Sequence, residues 1–342
     1  MKRFLLILAI LILAGMAWFG MRTYLRLTGE AVHIPEGEAV VYVDSTITLK
    51  DIREILIKQA GLNDTIAFKW MARRAKLNDP IPAGRYVIKD GMSIRQLVNM
   101  FRAGLQKPLM LVIRPMRSLD DFCLYLGDRL SPSPADFRDA ILLEKRLSTL
   151  GLTREQALLM FIPDSYEVWW TSTAEAFVQR MAKEYNRFWN DERRAKAESI
   201  GLSPAEAGIL ASIVQEETNK REEMARIAGV YLNRLKRGML LQADPTVKFA
   251  VGNPGLRRIL FKHLELDSPY NTYIYKGLPP GPLNMPEPFV IDAVLNAEMH
   301  SYLFFCARAD LSGYHVFART HSEHSRNATA YRRALNERRI FE

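Results

Sequence analysis

Only two cysteines, Cys123 and Cys306, occur in 342 residues, far apart in the chain, so no disulfide framework can be read from their spacing. Cys306 ends the run Tyr302-Leu303-Phe304-Phe305-Cys306, where a small buried residue is expected. Neither an H-E-x-x-H motif nor a cysteine-rich pattern accompanies His315, His321 and His324, so zinc binding lacks a supporting signature. The chain has no G-x-S-x-G elbow, no activating neighbour beside either cysteine and no glycine-rich phosphate cradle. Serine or cysteine nucleophilic catalysis and phosphate-loop chemistry thus lose their usual marks, and no metal or cofactor is expected. Internal repeats and low-complexity segments are also missing.

What is present is a chain with 48% hydrophobic content, enough for a sizeable core and two domains. Residues 4–21 carry no charge, and these 18 positions approach the roughly 20 apolar residues that cross a bilayer. A membrane anchor is expected over the competing cleaved signal peptide, for which Gly15-Met16-Ala17 offers small residues, because Trp18 and Phe19 carry the apolar run onward with interfacial aromatics. Lys2 and Arg3 before the segment nearly balance Arg22 and Arg26 after it. With so short a leading end, the N-terminus is placed inside and the bulk of the chain outside. A net charge of +9 admits nucleic acid, anionic lipid or an acidic polymer as partner. The pairs Arg73-Arg74, Arg193-Arg194, Arg332-Arg333 and Arg338-Arg339 are scattered, without the aromatic interleaving or zinc spacing of nucleic-acid modules, and read as solvated surface. Nucleic acid is therefore not expected.

After a polar tether over 22–37, the pattern predicts a strand at 39–43, a helix containing Ile52, Leu56 and Ile57, a second helix at 66–75, a strand at 85–88 and a helix capped by Ser93. This is a small α+β unit. A strand at 109–113 and a helix opened by Ser118 follow, then amphipathic helices among 133–147, 153–159 and 174–197. Asp164 interrupts them; it reads as a turn residue, with a second acid as the alternative. A helix over 222–236, closed by Gly238, presents Met224, Ile227, Tyr231 and Leu235 on one face. Stiff loops rich in proline and glycine run through 240–247, 269–273 and 277–286. A helix near Pro288, strands at 302–306 and 315–317 and a terminal helix complete the chain.

The stretch 202–219, LSPAEAGILASIVQEETN, organises the rest. Ser203, Pro204 and Glu206 form a capping box with proline in the first turn. At about 100° per residue, Leu210, Ile213, Val214 and Glu217 share a side, whereas Gln215 and Glu216 point elsewhere. A carboxyl on an apolar stripe and partly cut off from water has its pKa raised, as a general acid near neutral pH requires. The alternative is that Glu217 is only the polar end of the stripe. One such carboxyl beside loops rich in Asn, Thr, Tyr and Gln fits a carbohydrate ligand, since aromatic faces cover sugar C–H surfaces and amides bind hydroxyl and N-acetyl groups.

These motifs resemble those of the endolytic murein transglycosylases, the YceG-like family, from the apolar segment to the last helix. The signature A-S-I-[IV]-x-x-E-T appears as Ala211-Ser212-Ile213-Val214-Gln215-Glu216-Glu217-Thr218, with Glu217 at the catalytic position. Gln215 stands where many relatives carry an acid, which argues against a chemical role there. Further matches are V-Y-L-N-R at 230–234, L-Q-A-D-P-T at 241–246, Y-N-T at 270–272, G-L-P-P-G at 277–281, His315-Val316-Phe317 and His324. The resemblance implies an α+β fold: an anchor at 1–21, the tether, a LysM-like subdomain at 38–105 and a mixed α+β catalytic domain at 106–342. Within the last, a helical portion covers 118–200 and the core 201–342.

What the resemblance implies further is a lytic cleavage of the β-1,4 bond between N-acetylmuramic acid and N-acetylglucosamine in peptidoglycan, leaving a 1,6-anhydro end. Glu217 would act first as acid and then as base, so no second carboxylate is needed. Gln242, Asn271 and Tyr273 are candidates to orient the N-acetyl group. Asp244 reads mainly as a loop organiser, and Thr246, Tyr270, Thr272 and His315 complete the expected substrate-binding set. The anchor would hold the site near emerging strands, beside a penicillin-binding protein. Two rivals stay open: a noncatalytic wall-binding division scaffold, and an anchored lysozyme-like hydrolase that recruits Asp164 or Asp244.

Overall fold

The computed structural model describes residues 2–253, 256 and 259–337; the pair Arg338-Arg339 lies outside the described residues. In chain order the elements begin with α1 (Lys2–Thr28), β1 (Glu38–Val43), α2 (Leu49–Ala60), α3 (Thr65–Arg74), β2 (Gly84–Lys89), α4 (Ile94–Arg102) and β3 (Leu109–Ile113). Next come α5 (Leu119–Gly127), α6 (Pro134–Ile141), α7 (Glu144–Thr149), a 3-10 turn (Ala157–Met160), β4 (Asp164–Val168), α8 (Ala174–Phe188) and α9 (Asp191–Ser199). The chain continues with α10 (Pro204–Glu217), α11 (Arg221–Lys236), α12 (Asp244–Val251), α13 (Phe261–Leu264), α14 (Pro288–Leu295), β5 (Phe304–Ala307), β6 (His315–Ala318) and α15 (His321–Glu337). The fold is mixed α+β, with strands paired two by two, β1 with β2, β3 with β4 and β5 with β6.

Two compact units emerge. The first comprises Met1–Leu111 with the short segments Arg129–Pro132 and Glu167–Thr173. Its heart is the order β-α-α-β, with β1 and β2 antiparallel and Val41 opposite Tyr86. Thr48 and Asp51 form a capping box at α2, and Ser93 and Gln96 form another at α4, so each helix starts with its orphan N–H groups partnered. Ile52, Leu56, Phe68, Tyr86, Ile88, Leu97 and Phe101 fill the space between them.

The expected tether is not a free linker. Helix α1 runs unbroken to Thr28, and Leu27, Ala31, Val32 and Ile34 are buried in the core of the first unit. Arg26 is bonded to Asp64 through Nε at 2.9 Å and Nη2 at 2.6 Å. The polar side chains of 22–37 face solvent, while Leu27 in the last turn of α1 and Ala31, Val32 and Ile34 in the chain that follows it face the core. Residues 3–28 form a helix long and apolar enough to cross a membrane.

The second unit comprises Val112–Asp128, Ser133–Tyr166 and Ala174–Glu342. Its centre is α10, where the Ser203–Glu206 box and Pro204 start the helix. Every residue from Ala207 to Val214 is buried, so α10 is a core helix covered on all sides rather than a striped one. Helices α9, α11, α12 and α14 pack on it. Three expectations differ in detail. The stretch 153–159 makes a 3-10 turn, the long helix over 174–197 is broken at Trp189-Asn190 by the Asn190 N-cap, and the loop read at 240–247 is the start of α12. In the last case proline sits in the first turn, where its missing N–H costs nothing.

Candidate functional site

Glu217 is the last residue of α10, where the helix leaves the core and meets a cleft of about 410 Å3. The cleft is walled by α11 through Tyr231 and Arg234, by Gln242 in the loop before α12 and Asp244 at its start, by Tyr273, and by the β5–β6 hairpin through Phe304, Phe305 and His315. The Tyr231 hydroxyl donates to Glu217 Oε1. Burial drives the carboxyl pKa up to about 7; the Tyr231 bond opposes the rise, nearby Asp244 adds to it, and Lys248 and Arg234 pull it down. A group that is half protonated at neutral pH can both give and take a proton there.

Helix α11 supplies the floor. Tyr231 is buried, with its ring edge-on to Phe305 at 5.8 Å. Arg234, one turn further along the same face, is also buried; its Nε donates to Leu303 O at 2.6 Å and Nη1 to Leu241 O at 2.8 Å. It thereby fastens both the β5 segment and the loop before α12 to α11. Burial pushes its own pKa down, against the pull of Tyr231, Tyr273 and Glu217. Gly229 allows the same helix to approach closely, since a Cβ there would lie 2.5 Å from Glu298 O. The Asn233 amide donates to His300 O at 2.8 Å and Tyr302 O at 3.0 Å.

The residues singled out from the sequence divide in two. Glu217, Gln242, Asp244, Tyr273 and His315 meet around the cleft. Tyr273 donates its hydroxyl proton to Asp244 at 2.6 Å, and His315 is held by buried Glu223 through both its backbone N–H at 2.9 Å and Nδ1 at 3.0 Å. Gln242 is exposed and adopts a φ of 47°, in the left-handed region, at an energetic cost for a residue with a Cβ. The others do not line the cleft. Asn271 is fully buried, its amide donating to Leu264 O and Leu266 O at 2.9 and 2.8 Å while its oxygen accepts from Tyr273 N at 3.0 Å. Thr246 and Thr272 are buried 2.9 Å from one another, and Thr272 Oγ1 accepts from Ala243 N at 3.0 Å. Tyr270 packs on Phe249 and stands so close to Gly281 that a Cβ there would meet its hydroxyl at 2.8 Å. These four side chains build the loop that presents Gln242, Asp244 and Tyr273.

Other motif positions are scaffold as well. Ser212 Oγ accepts from Leu283 N at 2.9 Å, and Gln215 binds Asn284 Oδ1 at 3.0 Å and Glu287 N at 2.8 Å, which fastens the proline-rich loop to α10. Glu216 faces away to Arg117 and Asn284. Asp164 is exposed at the start of β4, where it accepts from Ser165 N, and it is not part of the cleft. Cys306, expected to be buried, is half-exposed on the cleft wall; β5 has no fully buried position. Phe304, His321 and His324 also line the cleft, with Phe304 stacked on His324 at 5.4 Å. Burial, His321 and Arg234 keep the His324 imidazole below its usual pKa, so it is neutral at pH 7. Tyr231 and Arg234 stood in the V-Y-L-N-R motif, but only the fold brings them under Glu217. A buried arginine on an otherwise apolar helix face was the available signal.

A model of the YceG-like family matches residues 41–330. The chain is 34% identical over 167 residues to the endolytic murein transglycosylase of Bacillus subtilis (strain 168), covering 49% of this chain and 45% of that protein. It is 24% identical over 331 residues to the endolytic murein transglycosylase of Streptococcus pneumoniae serotype 2, covering 88% of this chain and 58% of that protein. The chain thus spans about half the length of the curated relatives it matches. The crystal structure of a YceG-like protein from Listeria monocytogenes is similar with a TM-score of 0.57 and 25% identity, over 85% of this chain and 99% of that one. With the family's pattern running through residues 41–330 of 342, around the cleft that holds Glu217, this chain belongs to the YceG-like family.

Proposed function

We propose that the protein is a membrane-anchored endolytic peptidoglycan lytic transglycosylase that cuts the β-1,4 bond between N-acetylmuramic acid and N-acetylglucosamine within a glycan strand. One observation carries this reading: a single carboxyl with its pKa raised to about 7, hydrogen-bonded by a buried tyrosine and facing a cleft walled by aromatic and polar side chains. Protonated Glu217 gives its proton to the glycosidic oxygen as the bond to C1 breaks. The resulting carboxylate then takes the proton of the muramyl 6-hydroxyl as that oxygen attacks C1, which regenerates the acid and leaves a 1,6-anhydro end. Because the nucleophile belongs to the substrate, neither water nor a second carboxylate enters the balance.

Tyr231 has a defined part in this cycle. An ionised carboxylate only accepts hydrogen bonds, so after proton donation Tyr231 must be the donor to Oε1, leaving Oε2 to exchange the proton with substrate. Phe305 and Tyr273 offer ring surface for sugars, Phe304 being stacked on His324 with the Arg234 guanidinium also over its ring, and Gln242 and Asp244 offer polar groups for hydroxyl and N-acetyl substituents. Helix α1 is read as a single-pass anchor in the plasma membrane, with the N-terminus cytoplasmic and the bulk periplasmic or extracytoplasmic. There the enzyme would end the growth of nascent strands beside a penicillin-binding synthase.

The test is mass spectrometry of products from purified glycan. Anhydro-ended fragments from wild type, and about 10²- to 10⁴-fold fewer per minute from Glu217→Gln, are expected. Products with water added would make the protein a hydrolase in which Asp244, the other carboxylate on the cleft, serves as base. Binding with no cleavage by wild type would make it a scaffold.

A further inference from the structure

The pair Arg73-Arg74 belongs to a surface that the cleft does not use. On α3, Ile66, Lys69, Trp70, Arg73 and Arg74 are all exposed and recur at i, i+3, i+4, i+7 and i+8, which is one side of a helix, while Ala67, Phe68 and Ala72 face the core. Ile66 is 77% exposed and Trp70 49%, two large apolar side chains set among three cations. The helix contains no acidic residue, and Arg53 of α2 borders the same patch. Such a mixture, with an aromatic and an aliphatic group between basic ones, is the composition of a helix lying in a lipid interface.

Its position is fixed by α1. Asp64, the N-cap of α3, receives both Arg26 bonds, and Arg26 stands five residues past Met21, where the charge-free run ends. Five residues advance a helix by about 7 Å. The polar layer outside the hydrocarbon core is about 5–8 Å deep on each side of a bilayer. The start of α3 is therefore held at headgroup depth on any bilayer that α1 crosses. Tyr24 at the same level carries the Arg95 guanidinium of α4 over its ring at 5.9 Å, and one turn nearer the apolar run Arg22 lies over Trp18 at 5.2 Å. Aromatic and basic groups at this depth match the chemistry of the interface.

We propose that the exposed face of α3 docks on anionic phospholipid headgroups, with Ile66 and Trp70 entering the interface and Lys69, Arg73 and Arg74 pairing with phosphates. This rests on the reading of α1 as a spanning helix. Continuity with α1 favours lipid over glycan as the occupant, because the patch begins where the apolar run gives way to the polar layer. The first unit is then seated on the bilayer by two contacts, one through it and one along it.

The full chain is reconstituted into vesicles of phosphatidylcholine and phosphatidylglycerol, and the fluorescence of Trp70 is obtained as the difference between wild type and Trp70→Phe. A headgroup nitroxide lipid is expected to quench Trp70, and aqueous iodide to reach it less than in detergent. The triple variant K69E/R73E/R74E should lower the nitroxide quenching about twofold or more, as should raised salt. Trp70 equally open to iodide in vesicles and in detergent would overturn the proposal, as would protection that appears only when purified glycan is added. A tryptophan introduced near the middle of the apolar run by Ile12→Trp, read as the difference from wild type and probed with lipids brominated near the bilayer centre, separates the two readings. Bromine quenching of the Ile12→Trp signal with iodide-exposed Trp70 overturns the α3 contact alone, whereas no such quenching overturns the spanning reading and the contact with it.

Discussion

Two groups of polar side chains within the second unit come from the same set of motifs and do opposite things. Thr246, Asn271 and Thr272 are buried, with their hydrogen-bonding capacity consumed inside the loop. Glu217 and Asp244 each accept a single tyrosine hydroxyl among the described residues and turn to the cleft with acceptor capacity left over. What separates a loop builder from a site residue is therefore where its hydrogen bonds end. A polar residue in a motif can be required for either reason.

The sharpest way to break this comparison is Glu217→Gln, which should cost about 10²- to 10⁴-fold in glycan cleavage, the usual scale of general acid–base catalysis, read as anhydro product per minute. The same substitution should leave the fold intact and stabilise it at alkaline pH. Because the folded-state pKa is about 7 against an ordinary 4.5, the native state holds the extra proton between those values. The stability associated with that proton is complete below pH 4.5 and is lost as pH rises through 7. At pH 8 the glutamine variant should exceed wild type by on the order of 1–3 kcal/mol, and at pH 4 the two should coincide in denaturant melts.

On the other side of the comparison, Asn271→Ala leaves two part-buried carbonyls and one part-buried N–H without their partner. It should destabilise by about 1–3 kcal/mol in urea unfolding while sparing cleavage per folded molecule at low temperature. Next comes Tyr231→Phe, which keeps the ring against Phe305 and removes one donor to the carboxylate. The alkaline limb of the rate profile should move up by about one to two pH units, since a hydrogen bond to a charged group is worth roughly 1.5–3 kcal/mol. An unchanged profile would show that the tyrosine only packs. The smallest effect is expected at exposed Gln242→Ala, less than about tenfold and in KM rather than kcat, if its amide binds substrate weakly from the rim.

Much of this was legible beforehand for a physical reason. The Ser203–Glu206 box and Pro204 act locally, so the start of α10 can be read without knowing the fold, and so can the boxes at α2 and α4. Tyr231 could not be read this way, because an aromatic at that spacing on α11 is equally good core packing. Its hydroxyl matters only once α10 and α11 are side by side. Helix α12 was missed because Asp-Pro marks a turn as well as a helix start, and nothing local decides between them. The segment 22–37 misled because its polar half faces solvent while Leu27, Ala31, Val32 and Ile34 face inward.

That last segment changes what kind of attachment the proposed anchor would give. A slack leash lets its cargo sweep out a volume set by linker length, and a longer one dilutes the cargo as it frees it. A helix whose last turn is fixed to a folded body, here by buried Leu27 and the Arg26–Asp64 pair, is a post: it sets a standing height and passes its tilt or rotation to the body it joins. Lengthening the region between Thr28 and Gly37 would therefore disrupt packing before it extended reach.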